Sequence, residues 1–211
     1  MIYFTADTHF WHYNIIEYSN RPIWYDDNVL GPPIPNWMDG NTACVGMNEL
    51  IVRRWNEIVH PHDEVYILGD IFWCGVDKAH SILDKLNGIK YWIRGNHDVL
   101  ANKASIVSHF EWVRDYYLLK VHDVYQDEED ETKFQQYHQP IVLSHFPFLS
   151  WDGLAHGTWH LHGHCHGTLP KTRSMRLDVG VDTNNMFPYS YEEIKKIMVM
   201  RSVVPVDGHG L

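Results

Sequence analysis

Short runs of strand-forming residues recur along this sequence, and each is soon followed by a polar side chain that can bind a metal ion. In open α/β sheets, ligands bind in the crevice beyond the carboxyl ends of the strands, so side chains that are distant in the chain can meet there. The polar groups that follow five of these runs are Asp7 with His9, Asp70, Asn96 with His97, His145, and His164 with His166. The repeated pattern predicts one site shared by several strands.

Helical periodicity between these runs indicates an α/β chain with crossover connections. Apolar residues at spacings of three and four predict helices over residues 47–59 and 77–86, and Ser190 with Glu193 predicts a capping box that opens a last helix ending near Met200. The strands are predicted at residues 2–5, 65–68, 91–93, 141–143, 159–162 and 176–181. The proline- and glycine-rich residues 20–40 are predicted to form a loop, and the acidic run 127–131 a solvated hairpin tip.

Composition narrows the class of protein. The length of 211 residues favours a single domain over residues 1–211. The net charge of −10 disfavours a general binder of nucleic acid or of anionic membranes, because such binding depends on cations that neutralise phosphates. Three scattered cysteines, no basic leader and no apolar run of the roughly 20 residues that span a bilayer favour a cytoplasmic protein without membrane contact.

The residue types that follow the strands fit a hydrolase with two metal ions. Asp, Asn and His supply oxygen and imidazole donors, which suit Mn, Fe or Zn better than a purely oxygen-binding site for Mg or Ca. Two ions roughly 3.5–4 Å apart need a shared carboxylate, and Asp70 has the position for it. Such a pair would generate hydroxide near neutral pH and neutralise phosphoryl charge. On an extended backbone, Asp7 and His9 would point to the same side, as would His164 and His166.

The ordered set of motifs resembles the calcineurin-like metallophosphoesterase superfamily. The matching segments are Ala6-Asp7-Thr8-His9, Leu68-Gly69-Asp70, Arg94-Gly95-Asn96-His97-Asp98, Leu143-Ser144-His145 and Leu161-His162-Gly163-His164-Cys165-His166. The stretch Thr8 to Ile16 with Arg21-Pro22, and the segments Met47-Asn48-Glu49 and Val179-Gly180-Val181-Asp182, are similar to a compact bacterial and phage branch of predicted phosphoesterases. The resemblance implies a four-layer α/β sandwich of two mixed sheets flanked by helices.

The resemblance also implies roles for individual residues. One divalent ion would be held by Asp7, His9, Asp70 and His166, and the other by Asp70, Asn96, His145 and His164. Manganese is the first expectation for both ions, with Fe, Zn or Ni as alternatives. A hydroxide bridging the ions would attack phosphorus, and His97 would protonate the leaving oxygen or stabilise the phosphoryl group.

One departure from the family bears on the substrate. The phosphoprotein phosphatases carry an acidic–basic pair a few residues after the Gly-Asp motif, where this chain reads Ile71-Phe72-Trp73-Cys74. This difference argues against a protein phosphatase, and it leaves open which carboxylate orients His97. Asp98 is adjacent to His97 in the chain, but adjacency alone does not establish contact.

Four further residues are candidates for contact with substrate: His12, Asn14, Arg21 and Arg94. Arginine can hold a phosphate with two parallel hydrogen bonds. The alternatives are ordinary loop hydrogen bonds for the first three residues and pairing with an acidic neighbour for Arg94. Tryptophans in loops beside the motifs could also wall a pocket that stacks a nucleobase.

The expected function is metal-dependent hydrolysis of a phosphoester, by a phosphodiesterase or phosphatase acting on a small substrate such as a nucleotide or cyclic nucleotide. A nuclease or RNA-end processing enzyme with the same two metals is the alternative, and it requires a basic track into the site. A non-catalytic module that binds a partner is the second alternative, and it requires an exposed apolar patch away from the ligands. The net charge makes long nucleic acid the less favoured substrate.

Overall fold

Two mixed β-sheets organise the computed structural model, which describes residues 1–126, 134–170 and 174–203. The strands of the first sheet, in spatial order, are β11 (Tyr189–Ser190), β1 (Ile2–Thr5), β4 (Glu64–Leu68), β5 (Ile89–Ile93) and β6 (Val113–Arg114). Strands β1, β4, β5 and β6 run parallel, and β11 pairs with β1 in the antiparallel sense.

The second sheet combines a long hairpin with two parallel strands. Its strands, in spatial order, are β10 (Arg176–Asp178), β9 (Trp159–His162), β8 (Phe134–Ser144) and β7 (Tyr116–Gln126). Strands β7 and β8 pair antiparallel from Tyr116 opposite Ser144 to Gln126 opposite Phe134, whereas β9 and β10 join in the parallel sense. The acidic run 127–131, predicted as the tip of this hairpin, lies outside the described residues.

The helices cover the outer face of the first sheet, with one at its edge. They are α1 (Tyr13–Tyr18), α2 (Gly40–Ile58), α3 (Val76–Leu83), α4 (Ala104–Val107) and α5 (Tyr191–Met198). The long helix α2 buries Met47, Leu50, Ile51 and Trp55 at 0–2 % exposure in one core with residues of β4. Each side chain of this kind stabilises the fold by about 1.5–3 kcal/mol when fully buried.

A second core fills the space between the two sheets. Phe4 and Leu68 from the first sheet pack there with Ile141, Leu143 and Leu161 from the second. Because neighbouring residues of a strand point to opposite faces, Val142 faces outward instead. Its face is covered by a smaller cluster with Trp151 and Leu154, which belong to an irregular segment. The predicted α/β class with mixed sheets and helices is confirmed.

The segment of residues 20–40 is more ordered than the sequence indicated. It contains a small hairpin of β2 (Ile23–Tyr25) and β3 (Asn28–Leu30). The prediction that α2 begins near residue 47 was wrong, because the helix begins at Gly40. The side chain of Asp39 accepts hydrogen bonds from the backbone N–H groups of Asn41 and Thr42, which satisfies the first turn.

The last helix follows its predicted start more closely. The capping box of Ser190 and Glu193 is present, and α5 ends at Met198, two residues before the predicted end. Among the described residues, none of the helices combines the length and apolar character needed to cross a membrane.

Candidate metal centre

The predicted ligands converge at the carboxyl ends of β1, β4, β5, β8 and β9. Asp7, His9 and His166 form one group whose ligand atoms lie within 4.8 Å of one another. Asp7, Asp70 and His145 form a second such group. Asn96 and His164 join the cluster through His145: Asn96 Oδ1 is 3.0 Å from His145 Nε2, and the His145 and His164 rings are 5.1 Å apart. The structure therefore brings together all seven residues predicted to bind metal.

The backbone at these residues is left-handed rather than extended. The φ angles are +54° at Asp7, +47° at His9, +53° at Asp70, +70° at His164 and +47° at His166. The expectation of extended Asp-x-His and His-x-His segments was wrong. Non-glycine residues adopt positive φ uncommonly, and such strained positions cluster at functional sites.

Hydrogen bonds between two loops hold the first of these turns. The backbone N–H of Asp7 donates to Gly69 O at 3.0 Å, and that of His9 donates to Asp70 O at 3.0 Å. The side chain of Thr8 points the other way and donates to Ile71 O at 3.0 Å. These hydrogen bonds join the loops after β1 and β4 and hold Asp7 and His9 beside Asp70.

Asp70 occupies the centre of the cluster. Its Oδ2 lies 3.8 Å from His9 Nε2 and 3.5 Å from His145 Nε2, while its Oδ1 accepts the backbone N–H of His97 at 2.9 Å. Burial opposes ionisation of Asp70, but the adjacent His145 imidazole and the backbone N–H of His97 lower its pKa to about 2. This carboxylate is therefore held ionised between two imidazoles.

His9 fits a metal ligand because its ring nitrogens have no other use. The side chain is buried, and neither Nδ1 nor Nε2 has a hydrogen-bond partner among the described residues. Burial, followed by the charge of Arg21, lowers the pKa of His9 to about 2. Leaving a buried polar group unpaired costs about 1–3 kcal/mol, and coordination of a cation by a neutral imidazole would remove that cost.

His145 presents a lone pair to the same space. A carbonyl oxygen can only accept, so the 2.8 Å contact from His145 Nδ1 to Leu68 O places the proton on Nδ1. A neutral ring then has an unprotonated Nε2, which faces Asn96 Oδ1 at 3.0 Å and Asp70 Oδ2 at 3.5 Å. One nitrogen and two oxygen acceptors that face each other are a donor set for a cation.

Asp7 needs a cation for a different reason. It is 0 % exposed, and burial raises its pKa to about 7 despite the nearby His166 and His145. The backbone N–H of His164 donates to its Oδ1 and Oδ2 at 3.1 and 2.9 Å. Burying a carboxylate without full compensation is unfavourable, and a bound divalent ion is the largest local charge that could compensate it.

Two glycines allow the carboxylates to lie this close to the neighbouring loops. A Cβ added at Gly95 would lie 2.2 Å from Asp70 Oδ1, and one added at Gly163 would lie 2.5 Å from Asp7 Oδ2. Real Cβ atoms essentially never approach that closely. The glycines of the predicted Gly-Asn-His and Gly-His motifs are therefore required by the space that Asp70 and Asp7 occupy.

Comparison with known proteins identifies the family of this chain. The sequence model of the calcineurin-like phosphoesterases matches residues 1–200. The chain belongs to this family. Its members are phosphoester hydrolases that use divalent metal ions, and the cluster around Asp70 is where this chain offers ligands for them.

Two individual proteins are similar to this chain along most of its length. The chain is 30 % identical over 213 residues to an uncharacterized protein of Methanocaldococcus jannaschii, covering 96 % of this chain and 94 % of that protein. It is also similar to the crystal structure of a protein of unknown function from Aquifex aeolicus. That similarity has a TM-score of 0.60 at 23 % identity and covers 93 % of this chain and 98 % of the other, which shows the fold.

Within this calcineurin-like phosphoesterase, Arg21 lies beneath the metal centre rather than at its surface. It is 0 % exposed, and the five N–H groups of its guanidinium all have partners. Two donate to the backbone oxygens of Asp7 and Thr8 at 2.7 and 2.9 Å, one points to Met47 Sδ, and two donate to Asp182. This placement does not fit the expected contact between Arg21 and substrate, and it gives the residue a positioning role.

Asp182 contacts a predicted ligand, a role that the sequence did not predict although the residue lies in the segment Val179-Gly180-Val181-Asp182 named by the resemblance. It accepts from Arg21 and also lies 2.6 Å from His166 Nδ1, so it fixes the imidazole with Nε2 free for the centre. Burial opposes ionisation of Asp182, but His166 and Arg21 lower its pKa. A buried arginine needs a carboxylate as its partner. That need would have pointed to an acidic residue such as Asp182, but only once Arg21 was known to be buried.

The side chain of Asp98 accepts hydrogen bonds from two loops and does not orient the His97 ring. Its Oδ2 accepts the backbone N–H groups of Asp70 and Gly95 at 2.8 and 2.7 Å and the indole N–H of Trp92 at 3.0 Å. Its Oδ1 accepts the N–H of Ile71 at 2.9 Å. Asp98 therefore fastens the loops after β4 and β5 to each other.

The remaining predicted residues lie around the rim. The exposed His97 has its ring 6.2 Å from that of His9 and 4.6 Å from that of Trp73, while His12 stacks on Trp73 at 4.1 Å. Arg94 is exposed and pairs with Asp115 through two hydrogen bonds of 2.7 and 2.6 Å, which is the alternative that the sequence left open. Asn14 is exposed on α1.

Proposed function

We propose that this chain hydrolyses a phosphoester in a small substrate with the help of two divalent metal ions, manganese being the first candidate. The observation that carries the proposal is the buried His9 ring, which has no partner among the described residues and lies between Asp7, Asp70 and His166. In a site without a cation, that arrangement would leave several lone pairs facing one another.

The ligand sets are those that the family resemblance implies, and the clustering of the side chains supports them. Asp7, His9, Asp70 and His166 would hold one ion, and Asp70, Asn96, His145 and His164 the other. Asp70 suits the shared position because its Oδ2 lies within 4 Å of an imidazole nitrogen on either side. When bound, the ions supply a nucleophile of lowered pKa and neutralise charge on the phosphoryl oxygens.

A side chain of the protein, His97, could supply the proton that the leaving oxygen needs. His97 is exposed at the rim, and its backbone N–H donates to Asp70 Oδ1, which places the residue beside the carboxylate proposed to be shared. An imidazole there can donate a proton to the departing oxygen, a contribution of about 10²–10⁴-fold in rate. Trp73 supports this ring at 4.6 Å.

Hydrolysis of two chromogenic esters tests the proposal. The full chain, stripped with a chelator and then supplied with Mn²⁺, would be offered bis(p-nitrophenyl) phosphate and p-nitrophenyl phosphate. Metal-dependent cleavage of the diester would identify a phosphodiesterase, and cleavage of the monoester a phosphatase. No cleavage of either ester by protein that has bound metal would count against hydrolysis of small phosphoesters.

A further inference from the structure

Two grooves are lined by residues of helix α1. The first has a volume of about 650 Å³ and reaches the centre, because its lining includes His164 and His166. The second, of about 580 Å³, lies between α1 and the proline-rich segment 32–38. Asn20, which follows α1 with a φ of +50°, lines both of them. The two grooves are therefore adjacent at Asn20, and together they are called the path below.

The lining of this path combines two tyrosines and several apolar residues with polar groups. The tyrosine Tyr18 walls the first groove and is 73 % exposed, and Tyr13 walls the second. The remaining apolar wall is formed by Ile15, Ile16, Pro32, Pro33, Ile34, Pro35 and Met38. Tyrosine rings offer a large flat surface at a low cost in side-chain entropy, and a planar ligand can stack on them.

The charge of the path excludes one class of occupant. None of the described residues that line the two grooves is Lys or Arg, and the polar ones include Glu17, Asn20 and Asn36. The neighbouring Arg21 is buried with its guanidinium fully engaged. Single-stranded nucleic acid needs a positively charged groove along its backbone, so a polyanion is a poor fit.

Resting on the function proposed above, we propose that this path is the subsite for the organic part of the substrate. That part is an uncharged group that carries a planar ring with hydrogen-bonding edges, as a nucleoside does. The ring stacks on Tyr18, the amide of Asn20 contacts its polar edge, and the phosphate alone lies at the metal ligands. Cavities of 300–1,000 Å³ are typical for ligands of this size.

Binding to the metal-loaded protein tests the subsite without turnover. The probes are thymidine 5′-monophosphate and inorganic phosphate, and the readout is the ratio of their dissociation constants by calorimetry. We expect the nucleotide to bind at least tenfold more tightly than phosphate, because base–aromatic stacking strengthens binding about 5- to 150-fold. Tyr18→Ala and Asn20→Gly should reduce this ratio while leaving the affinity for phosphate unchanged. The glycine variant keeps the left-handed backbone of Asn20.

The control variant is Tyr25→Ala, which removes an exposed tyrosine that lines neither groove. It should leave the ratio at the wild-type value. Equal affinities for the two probes in the wild-type protein, or equal losses for both probes in Tyr18→Ala, would overturn the proposal. Tighter, salt-sensitive binding of oligothymidylate than of the mononucleotide would overturn it in favour of a polyanionic substrate.

Hydrolysis distinguishes this proposal from the one on which it rests. Thymidine 5′-(p-nitrophenyl phosphate) and methyl p-nitrophenyl phosphate share a leaving group and differ only in the retained group. If the wild-type protein cleaves both esters at equal rates, and Tyr18→Ala does not change the ratio of the two rates, the proposed subsite is contradicted while the proposed hydrolysis is supported. If neither ester is cleaved but the nucleotide binds through Tyr18, the subsite stands and hydrolysis is wrong.

Discussion

Arg21 and Asp182 are 161 positions apart in the chain and form a bidentate ion pair directly under the metal centre, with Nε–Oδ1 and Nη2–Oδ2 distances of 2.8 and 2.7 Å. The same guanidinium holds the backbone oxygens of Asp7 and Thr8, and the same carboxylate contacts His166. One buried pair thus fixes ligands from both sheets, and it connects the stability of the fold to the geometry of the site.

Replacing Arg21 with alanine should destabilise the protein by about 3–5 kcal/mol, because a buried carboxylate would lose its partner. Urea denaturation measures the change. The control is Glu49→Ala, which removes an exposed i,i+4 pair with Arg53 and should cost less than about 0.5 kcal/mol. Equal, small effects of the two substitutions would show that the Arg21 pair has no special part in holding the fold.

Asp182→Asn should weaken metal binding about 10- to 100-fold, since outer hydrogen bonds orient metal-binding imidazoles and raise their basicity. Competition with a chelator measures the affinity, under conditions where circular dichroism shows folded protein. Asp115→Asn alters an exposed carboxylate that pairs with Arg94 and should leave the affinity unchanged. An unchanged affinity in Asp182→Asn would mean that His166 is not a ligand or does not need this contact.

Gly95→Ala tests the close approach of the Asp70 carboxylate. The added Cβ would meet Asp70 Oδ1 at 2.2 Å and the backbone nitrogen of Asp70 at 2.6 Å, so rotation of the side chain alone cannot relieve the clash. We expect a loss of stability of about 1–3 kcal/mol and at least tenfold weaker metal binding. Gly31→Ala is the matched control, because a Cβ there would meet nothing within 4 Å. Wild-type metal binding in Gly95→Ala would contradict the placement of Asp70.

The pH dependence of stability should reveal Asp123, which is remote from the metal centre. Its carboxylate accepts from Tyr191 and Tyr137 and pairs with Lys195 at 2.8 Å. Burial raises its pKa, but these partners prevail and lower it to about 2, below the unfolded value of about 3.9. The carboxylate therefore stabilises the fold above pH 4, and this contribution is lost as the pH falls towards 2.

Comparison with Asp123→Asn isolates that contribution. The difference in unfolding free energy between wild type and variant should be about 1–2 kcal/mol at pH 7 and should shrink towards pH 2, since the exposed part of the Lys195 ammonium limits the gain. A difference that is independent of pH between 5 and 2 would assign the effect to shape rather than to charge.

The sequence predicted which polar side chains would cluster better than it predicted their surroundings, for a physical reason. Residues such as Asp70 and His145 follow short buried strands, and parallel strands bring their carboxyl ends to one edge, so local patterns sufficed to place them. The sequence left open whether Arg21 contacts substrate or makes internal hydrogen bonds, because a buried arginine and a phosphate-binding arginine look alike in sequence. Its partner Asp182 could be found only from the folded chain.

Backbone conformation was the other feature that local patterns missed. Asp7 and His9 have positive φ angles, which non-glycine residues adopt uncommonly, and their backbone N–H groups are held by Gly69 O and Asp70 O. Likewise, helix α2 begins at Gly40 because Asp39 caps it, although apolar periodicity becomes clear only from Met47 onward. Tertiary contacts and caps, rather than propensity, determined both outcomes.

The number of divalent ions bound per chain is the measurement that tests the central claim most directly. Chelator-stripped wild-type protein and Asp70→Asn would be dialysed against Mn²⁺, and metal content and ester hydrolysis would be measured on the same samples. We predict two ions per wild-type chain, with loss of bound metal and a fall in turnover of orders of magnitude in the variant. Wild-type protein that binds no metal, or a variant with normal metal content and turnover, would contradict the account.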